Sequence, residues 1–170
     1  MKTILILAAL ALASPVAARA PGVDARTVID RVQIEDMMIE YYSVLTQHER
    51  HAIGDYFTEN AVIDVNGFKL DGRAAIQHFY DNGVDTRIAN ASTYDMLLSN
   101  PRIVVTGDSA VMDAIWTGYL ADNQYTAPRL VEQGTEHSTF VKRGGTWLIA
   151  SRKLVNTAGM PTVIGEKAGN

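Results

Sequence analysis

With 170 residues, 47% of them apolar and 20% charged, the chain has the make-up of one globular domain. A chain of this size removes roughly two-thirds of its unfolded surface from water, so it needs no disulfide or structural metal, and it has no cysteine to form a disulfide. A formal charge of -4 without any long basic run excludes the clustered stripe that nucleic-acid binding requires.

Residues 1–18 read as a secretory signal peptide. Lys2 supplies a positive start, Ile4 to Ala13 is an apolar run too short to span a bilayer, and Ser14-Pro15 breaks it before Ala17, Ala18 and Ala20. Cleavage is expected after Ala18, with Ala20 as the alternative. The product is an exported protein, periplasmic or secreted, with no membrane anchor in its mature form. From Thr27 the apolar positions Val28, Val32, Ile34, Met37, Met38, Tyr41, Tyr42 and Leu45 recur at helical spacing and predict a first helix with one broad apolar face. Gln47 to His51 is a polar break, and Ala52 to Phe57 reads as a second, shorter helix. Ala61 to Val65 alternates as a strand, Asn66-Gly67 is a hairpin signal, and Phe68 to Leu70 returns. Asp71-Gly72 opens a third helix, Arg73 to Tyr80, capped by Asn82-Gly83.

The remainder is strand-like: Thr93 to Thr106, Ala110 to Ala121, Leu130 to Lys142 and Thr146 to Asn156, with a tail over residues 157–170. Strands this long exceed the usual length of about 5–6 residues and suit a strongly bent sheet wrapped round helices. The fold class is therefore α+β, with three N-terminal helices packed on one face of a strongly curved, mostly antiparallel sheet.

Chemical motifs are few. His48 and His51 stand three apart beside Glu49 but lack the further ligands of a zinc site, so no metal is expected. Phosphate loops, dinucleotide fingerprints and a Gly-x-Ser-x-Gly elbow are absent, so no cofactor is expected either. Hydroxyls, carboxylates and an imidazole remain. They suit acid–base elimination, isomerisation or hydration of a small, largely apolar molecule.

Several segments together resemble the SnoaL-like branch of the nuclear transport factor 2-like superfamily, which includes ketosteroid isomerase and scytalone dehydratase. They are Ile34-Glu-Asp, Asp55-Tyr-Phe-Thr-Glu-Asn-Ala-Val, Leu70-Asp-Gly-Arg, Ser99-Asn-Pro-Arg-Ile-Val-Val-Thr-Gly-Asp108 and Gly145-Thr-Trp-Leu-Ile-Ala-Ser-Arg152. The resemblance spans residues 27–156 and implies a cone-shaped α+β barrel. It also implies a cofactor-free enzyme or a non-catalytic relative, and a homodimer or homotrimer built on the convex face of the sheet. Many catalytic members resemble one another in an Asp near the end of the first helix and a His on the first long strand. The matching positions here are Thr46 and Met96, so that general-base pair is missing and any activity uses other groups.

The resemblance points to Tyr41, Thr46, Ile63, Met96, Trp116, Gly118, Glu136, Leu154 and Asn156 as pocket-lining positions. A one-residue slip in the matching substitutes Tyr42, Asp95 or His137, because strand side chains alternate faces. Tyr41 and Tyr42 are either core residues with satisfied hydroxyls or proton donors to a leaving hydroxyl. Only one of Glu136 and His137 can face the cavity. His137 is the better base if it does, and Glu136 would need a partner or a raised pKa. Asp95, flanked by Tyr94 and Met96, is surface-facing or partnered and functional. Arg152 either pairs with an acidic neighbour or binds an anionic group, and Trp116 offers a flat wall to a ring.

Two functions follow. One is a cofactor-independent lyase or isomerase for a small hydrophobic cyclic or aromatic molecule, with His137 or Asp95 accepting a proton and Tyr41 or Tyr42 donating one. The other is a periplasmic binding or interaction protein that kept the cone without the Asp-His pair.

Overall fold

A computed structural model describes residues 24–46, 50–82 and 93–159. The expected signal peptide, the polar break at 47–49, the Gly83 cap and the tail from residue 160 lie outside the described residues, as do the side chains of Thr46 and His51. The elements run α1 (Val28–Thr46), a 3₁₀ segment (Arg50–Tyr56), β1 (Phe57–Val65), β2 (Phe68–Asp71), α2 (Arg73–Asn82), β3 (Thr93–Thr106), β4 (Ser109–Ala121), β5 (Arg129–Arg143) and β6 (Thr146–Ala158). The sheet order is β2-β1-β6-β5-β4-β3, antiparallel throughout except for the β1–β6 pair.

Three expectations change in detail. The second helix is a 3₁₀ segment, so the described chain has two α-helices. Gly54, a poor helix former, lies in its middle, and its N–H donates to Gln77 Oε1 of α2 at 2.6 Å. β1 begins at Phe57 rather than Ala61, and β6 continues through Thr157 and Ala158. The apolar face of α1 is narrower than its composition suggests. Ile34, Met38, Tyr41, Tyr42 and Leu45 are buried, whereas Val28 and Val32 are exposed. Asp30 occupies the sheet-facing stripe one turn before Ile34 and accepts bonds from Lys142 Nζ (2.7 Å) and Trp147 Nε1 (3.0 Å), which turns Val28 and Val32 outward.

The buried stripe of α1 packs against Ile103, Met112, Phe140 and Ile149 on the inner face of the sheet. Curvature comes from breaks in register on β3 (Ser99/Arg102, where Asn100 has φ 52°) and on the β4–β5 and β5–β6 seams. Each break inserts a local bend and extra twist. The Asn66-Gly67 turn adopts positive φ at both residues (52° and 93°), the backbone a two-residue hairpin needs.

Candidate active site

Alternation along β5 sends Glu132, Gly134, Glu136, Ser138 and Phe140 inward, and the inner face carries two distinct polar clusters. The first lies beneath α1. Arg152 donates from Nε to Glu136 Oε1 (2.8 Å) and from Nη2 to Glu136 Oε2 (2.7 Å). The same Nη2 reaches the Tyr42 hydroxyl at 2.7 Å, and that hydroxyl donates in turn to Glu136. Ser138 Oγ donates to Glu136 Oε1 at 2.5 Å. The guanidinium also lies 4.5 Å from the centre of the Tyr41 ring, whose hydroxyl meets that of Tyr80 at 3.0 Å.

Arg152, Glu136, Ser138, Tyr41 and Tyr42 are all buried, so the charges here are set by one another. Burial alone raises the Glu136 carboxyl. The Arg152 charge and the bonds from Arg152, Ser138 and Tyr42 outweigh it and hold the group below the ordinary glutamate range. Burial raises the Tyr41 and Tyr42 phenols well above theirs, so both are neutral hydrogen-bonding groups. A carboxyl depressed in the fold adds stability that is complete above its unfolded pKa and is lost as pH falls through the folded value. Thermal melts should therefore show a falling Tm below about pH 4.3, the ordinary glutamate value. A Glu136→Leu/Arg152→Met variant should have a shallower acid limb; limbs of equal slope would show that this pair does not drive it.

The second cluster is Tyr94 of β3 with Glu132 of β5, whose hydroxyl and carboxylate are hydrogen-bonded. Two glycines seat it. A Cβ on Gly118 would stand 2.7 Å from Glu132 Cγ and 3.2 Å from the Tyr94 hydroxyl, so Glu132 lies flat across β4. A Cβ on Gly134 would stand 2.5 Å from Trp116 Cζ2 and 2.7 Å from its Cε2, so the indole lies flat across β5. Trp116 is fully buried, and its Nε1 finds no hydrogen-bond acceptor.

The two clusters differ in their relation to α1. Asp30 bonds Lys142 and Tyr42 bonds Glu136, so the helix runs along β5 in the opposite sense. Glu132 lies four strand residues, about 13 Å, beyond Glu136. Only four helical residues, about 6 Å, follow Tyr42 before α1 ends at Thr46. The Tyr94–Glu132 pair therefore lies further along β5 than the bonds that tie α1 to that strand.

The expected site residues divide accordingly. Tyr41, Tyr42, Ile63, Trp116, Gly118, Glu136 and Leu154 are buried on the inner side, and Met96 is half-buried against the core. The half-buried Asn156 accepts at Oδ1 from the Ala158 N–H (3.1 Å). Thr46 closes α1. Asp95 and His137 are the corrections. Both are exposed on the outer face, because Tyr94 and Glu136 take the inward positions beside them. His137 Nδ1 lies 2.7 Å from Asp113 Oδ1 there, so neither residue is placed to act as a base inside the cone. Tyr94 and Glu132 were not among the expected site residues. Their signal was the two-residue period running from Met96 and Glu136, which puts both on the inner face.

Comparison with solved structures gives a consistent architecture. A nuclear transport factor 2-like protein with a cystatin-like fold from Novosphingobium aromaticivorans is similar at TM-score 0.67 and 20% identity, covering 79% of this chain and 86% of that one. A proposed scytalone dehydratase from the same organism is similar at TM-score 0.66 and 19% identity, covering 85% and 96%. A proposed aromatic ring hydroxylase, also from N. aromaticivorans, gives TM-score 0.62 and 27% identity over 79% and 92%. No curated protein matches the chain. The SnoaL-like domain model matches residues 26–153, most of the chain, and the protein belongs to that family.

Proposed function

We propose that the protein is a cofactor-independent lyase or isomerase for a small hydrophobic cyclic or aromatic molecule, with its reacting groups at the Tyr94–Glu132 end of the cone. The observation that carries this reading is the contrast between two buried carboxylates. Glu136 is saturated by Arg152, Ser138 and Tyr42 and is locked as a fixed charge. Glu132 accepts from the Tyr94 phenol, which sets a proton acceptor beside a proton donor on the inner face of the sheet. In an elimination, Glu132 takes a proton from a ring carbon, the double bond forms, and the leaving hydroxyl departs as water with the Tyr94 phenol proton. Proton transfer from Glu132 back to the phenolate resets the pair. In an isomerisation, Glu132 returns its proton to a different carbon. Family membership and two fold relatives proposed to act as a scytalone dehydratase and an aromatic ring hydroxylase favour aromatic substrates. We place the protein outside the cytoplasm after removal of residues 1–18.

The test is a survey of hydroxylated and ketonic bicyclic aromatics for turnover, repeated with Glu132→Gln. Turnover that is lost in the variant supports the assignment; turnover that survives it sinks the assignment. The absence of a catalytic pair at Thr46 and Met96 favours a second reading, a non-catalytic binding protein. Compounds that raise Tm without being converted would establish that one.

The convex face supports assembly as a homodimer. One row of outward residues crosses all six strands in register: Arg102, Asp113, His137, Lys153, Asp64 and Lys69. Reversed about His137, the row sets Asp113 against Lys153 and Arg102 against Asp64, so a two-fold axis parallel to the strands brings opposite charges together. Sedimentation should show Asp113→Lys and Lys153→Asp each weakening the dimer by at least ~10-fold, and the double swap restoring it. A monomeric native protein, or a double variant no better than the singles, would count against this interface.

A further inference from the structure

The side of α1 turned away from the sheet carries an apolar stripe that no described residue covers. Val28, Ile29, Val32 and Ile39 are 40%, 68%, 50% and 55% exposed, opposite the buried stripe of Ile34, Met38, Tyr41 and Leu45. Single exposed apolar residues are ordinary, but several grouped on one helix face mark a contact surface. All four are β-branched, a class that helices do not favour for its own sake. Val28, Val32, Glu35 and Ile39 succeed one another at steps of four, three and four residues, the seam of a helix-to-helix contact.

Charge selects the partner. Arg31 and Glu35 stand one turn apart on the same flank of that seam. Among the described residues neither takes part in an ion pair or a side-chain hydrogen bond. Reversing the helix about the point between Gln33 and Ile34 sets Val28 against Ile39 and Val32 against the methylenes of Glu35. A two-fold axis between antiparallel helices keeps each flank on its own side, so Arg31 of one copy meets Glu35 of the other, twice over. A bilayer fits poorly, because Glu35, Asp36 and Glu40 border the stripe where a membrane-lying helix carries basic residues.

We infer that the outer face of α1 is an isologous contact with a second copy of this chain, the two helices antiparallel and centred between Gln33 and Ile34. It uses none of the convex-face residues, so it rests neither on that dimer nor on the proposed chemistry. A single helix pair buries less than the about 1,600 Å² of a stable interface, so this association is weak and concentration-dependent. Where both contacts operate, they link convex-face dimers into larger species.

Sedimentation in the Asp113→Lys background, where the convex-face contact is weakened, isolates the helix contact. That variant should show a concentration-dependent dimer, and adding Ile39→Glu should weaken it at least tenfold. In the same background Arg31→Glu and Glu35→Arg should each weaken the dimer, and the two together should restore it. The native chain has no cysteine, so a single one reports only on itself. Val32→Cys should form a covalent dimer under mild oxidation, with or without Asp113→Lys, whereas Tyr125→Cys on the exposed loop after β4 should not. All these positions lie on the surface, so the folded domain survives the changes. Association indifferent to Ile39→Glu, a double swap no better than the single ones, or Val32→Cys cross-linking no faster than Tyr125→Cys overturns the inference. An Asp113→Lys variant that stays monomeric at every concentration also overturns it and leaves the stripe to a different protein. A native protein without the convex-face dimer leaves the helix contact standing, provided that its remaining self-association is abolished by Ile39→Glu.

Discussion

Replacing Arg152 by methionine is expected to destabilise the protein by about 3–5 kcal/mol, measured by urea unfolding, because it leaves the Glu136 carboxylate buried without a counter-charge. Glu136→Gln should lose stability by the same route, since the guanidinium is then the stranded ion. The desolvation of both ions offsets most of their attraction, so removing the pair together costs less than breaking it. Glu136→Leu/Arg152→Met should recover at least half of the loss, the remainder reflecting the Tyr42 and Ser138 hydroxyls left without partners. A double variant as unstable as Arg152→Met would mean that the cluster contributes net stability, beyond avoiding a stranded charge. The cluster's position explains its cost. It fastens α1 to β5 and β6 near the C-terminal end of the helix, where Tyr41 and Tyr42 stack on the guanidinium.

Glu132→Gln should lower kcat/KM on a converted substrate by about 100-fold or more while changing stability far less than Glu136→Gln does. The amide keeps the shape and a hydrogen-bond acceptor for Tyr94 but cannot take a proton. Gly118→Ala approaches the same groups from the opposite side. Its methyl would stand 2.9 Å from Glu132 Oε1 and 3.2 Å from the Tyr94 hydroxyl, so one or both must move. It should therefore reduce turnover in the same direction as Glu132→Gln and leave the Arg152–Glu136 bonds in place. Steady-state kinetics with melts on the same samples separate the two effects. Full turnover in Glu132→Gln would return the search for a base to the remaining inner-face groups.

The bounds of β3 and β4, the Asn66-Gly67 hairpin and most of the core stripe of α1 could be read from the chain because each is a local pattern. β3 and β4 begin and end within a residue of where alternation places them. β5 is different, and the reason is physical. Gln133, Thr135, His137 and Thr139 on one face are as polar as Glu132, Glu136 and Ser138 on the other, so alternation shows two faces without saying which is buried. On β3 alternation sets Met96, and with it Tyr94, on the face opposite Asp95. The second helix forms as a 3₁₀ segment rather than an α-helix, with the Gly54 N–H donating to Gln77, a residue of a later helix.

The sequence by itself therefore determined the order of elements, the α+β class, the family and the absence of the Asp-His pair at Thr46 and Met96. Only the tertiary structure decided which carboxylates are inside, which of them Arg152 neutralises, and that Trp116 buries a donor with nothing to receive it. Those facts depend on register between strands far apart in the chain, where a shift of one residue would exchange Glu136 for His137 and move the chemistry to the other side of the sheet.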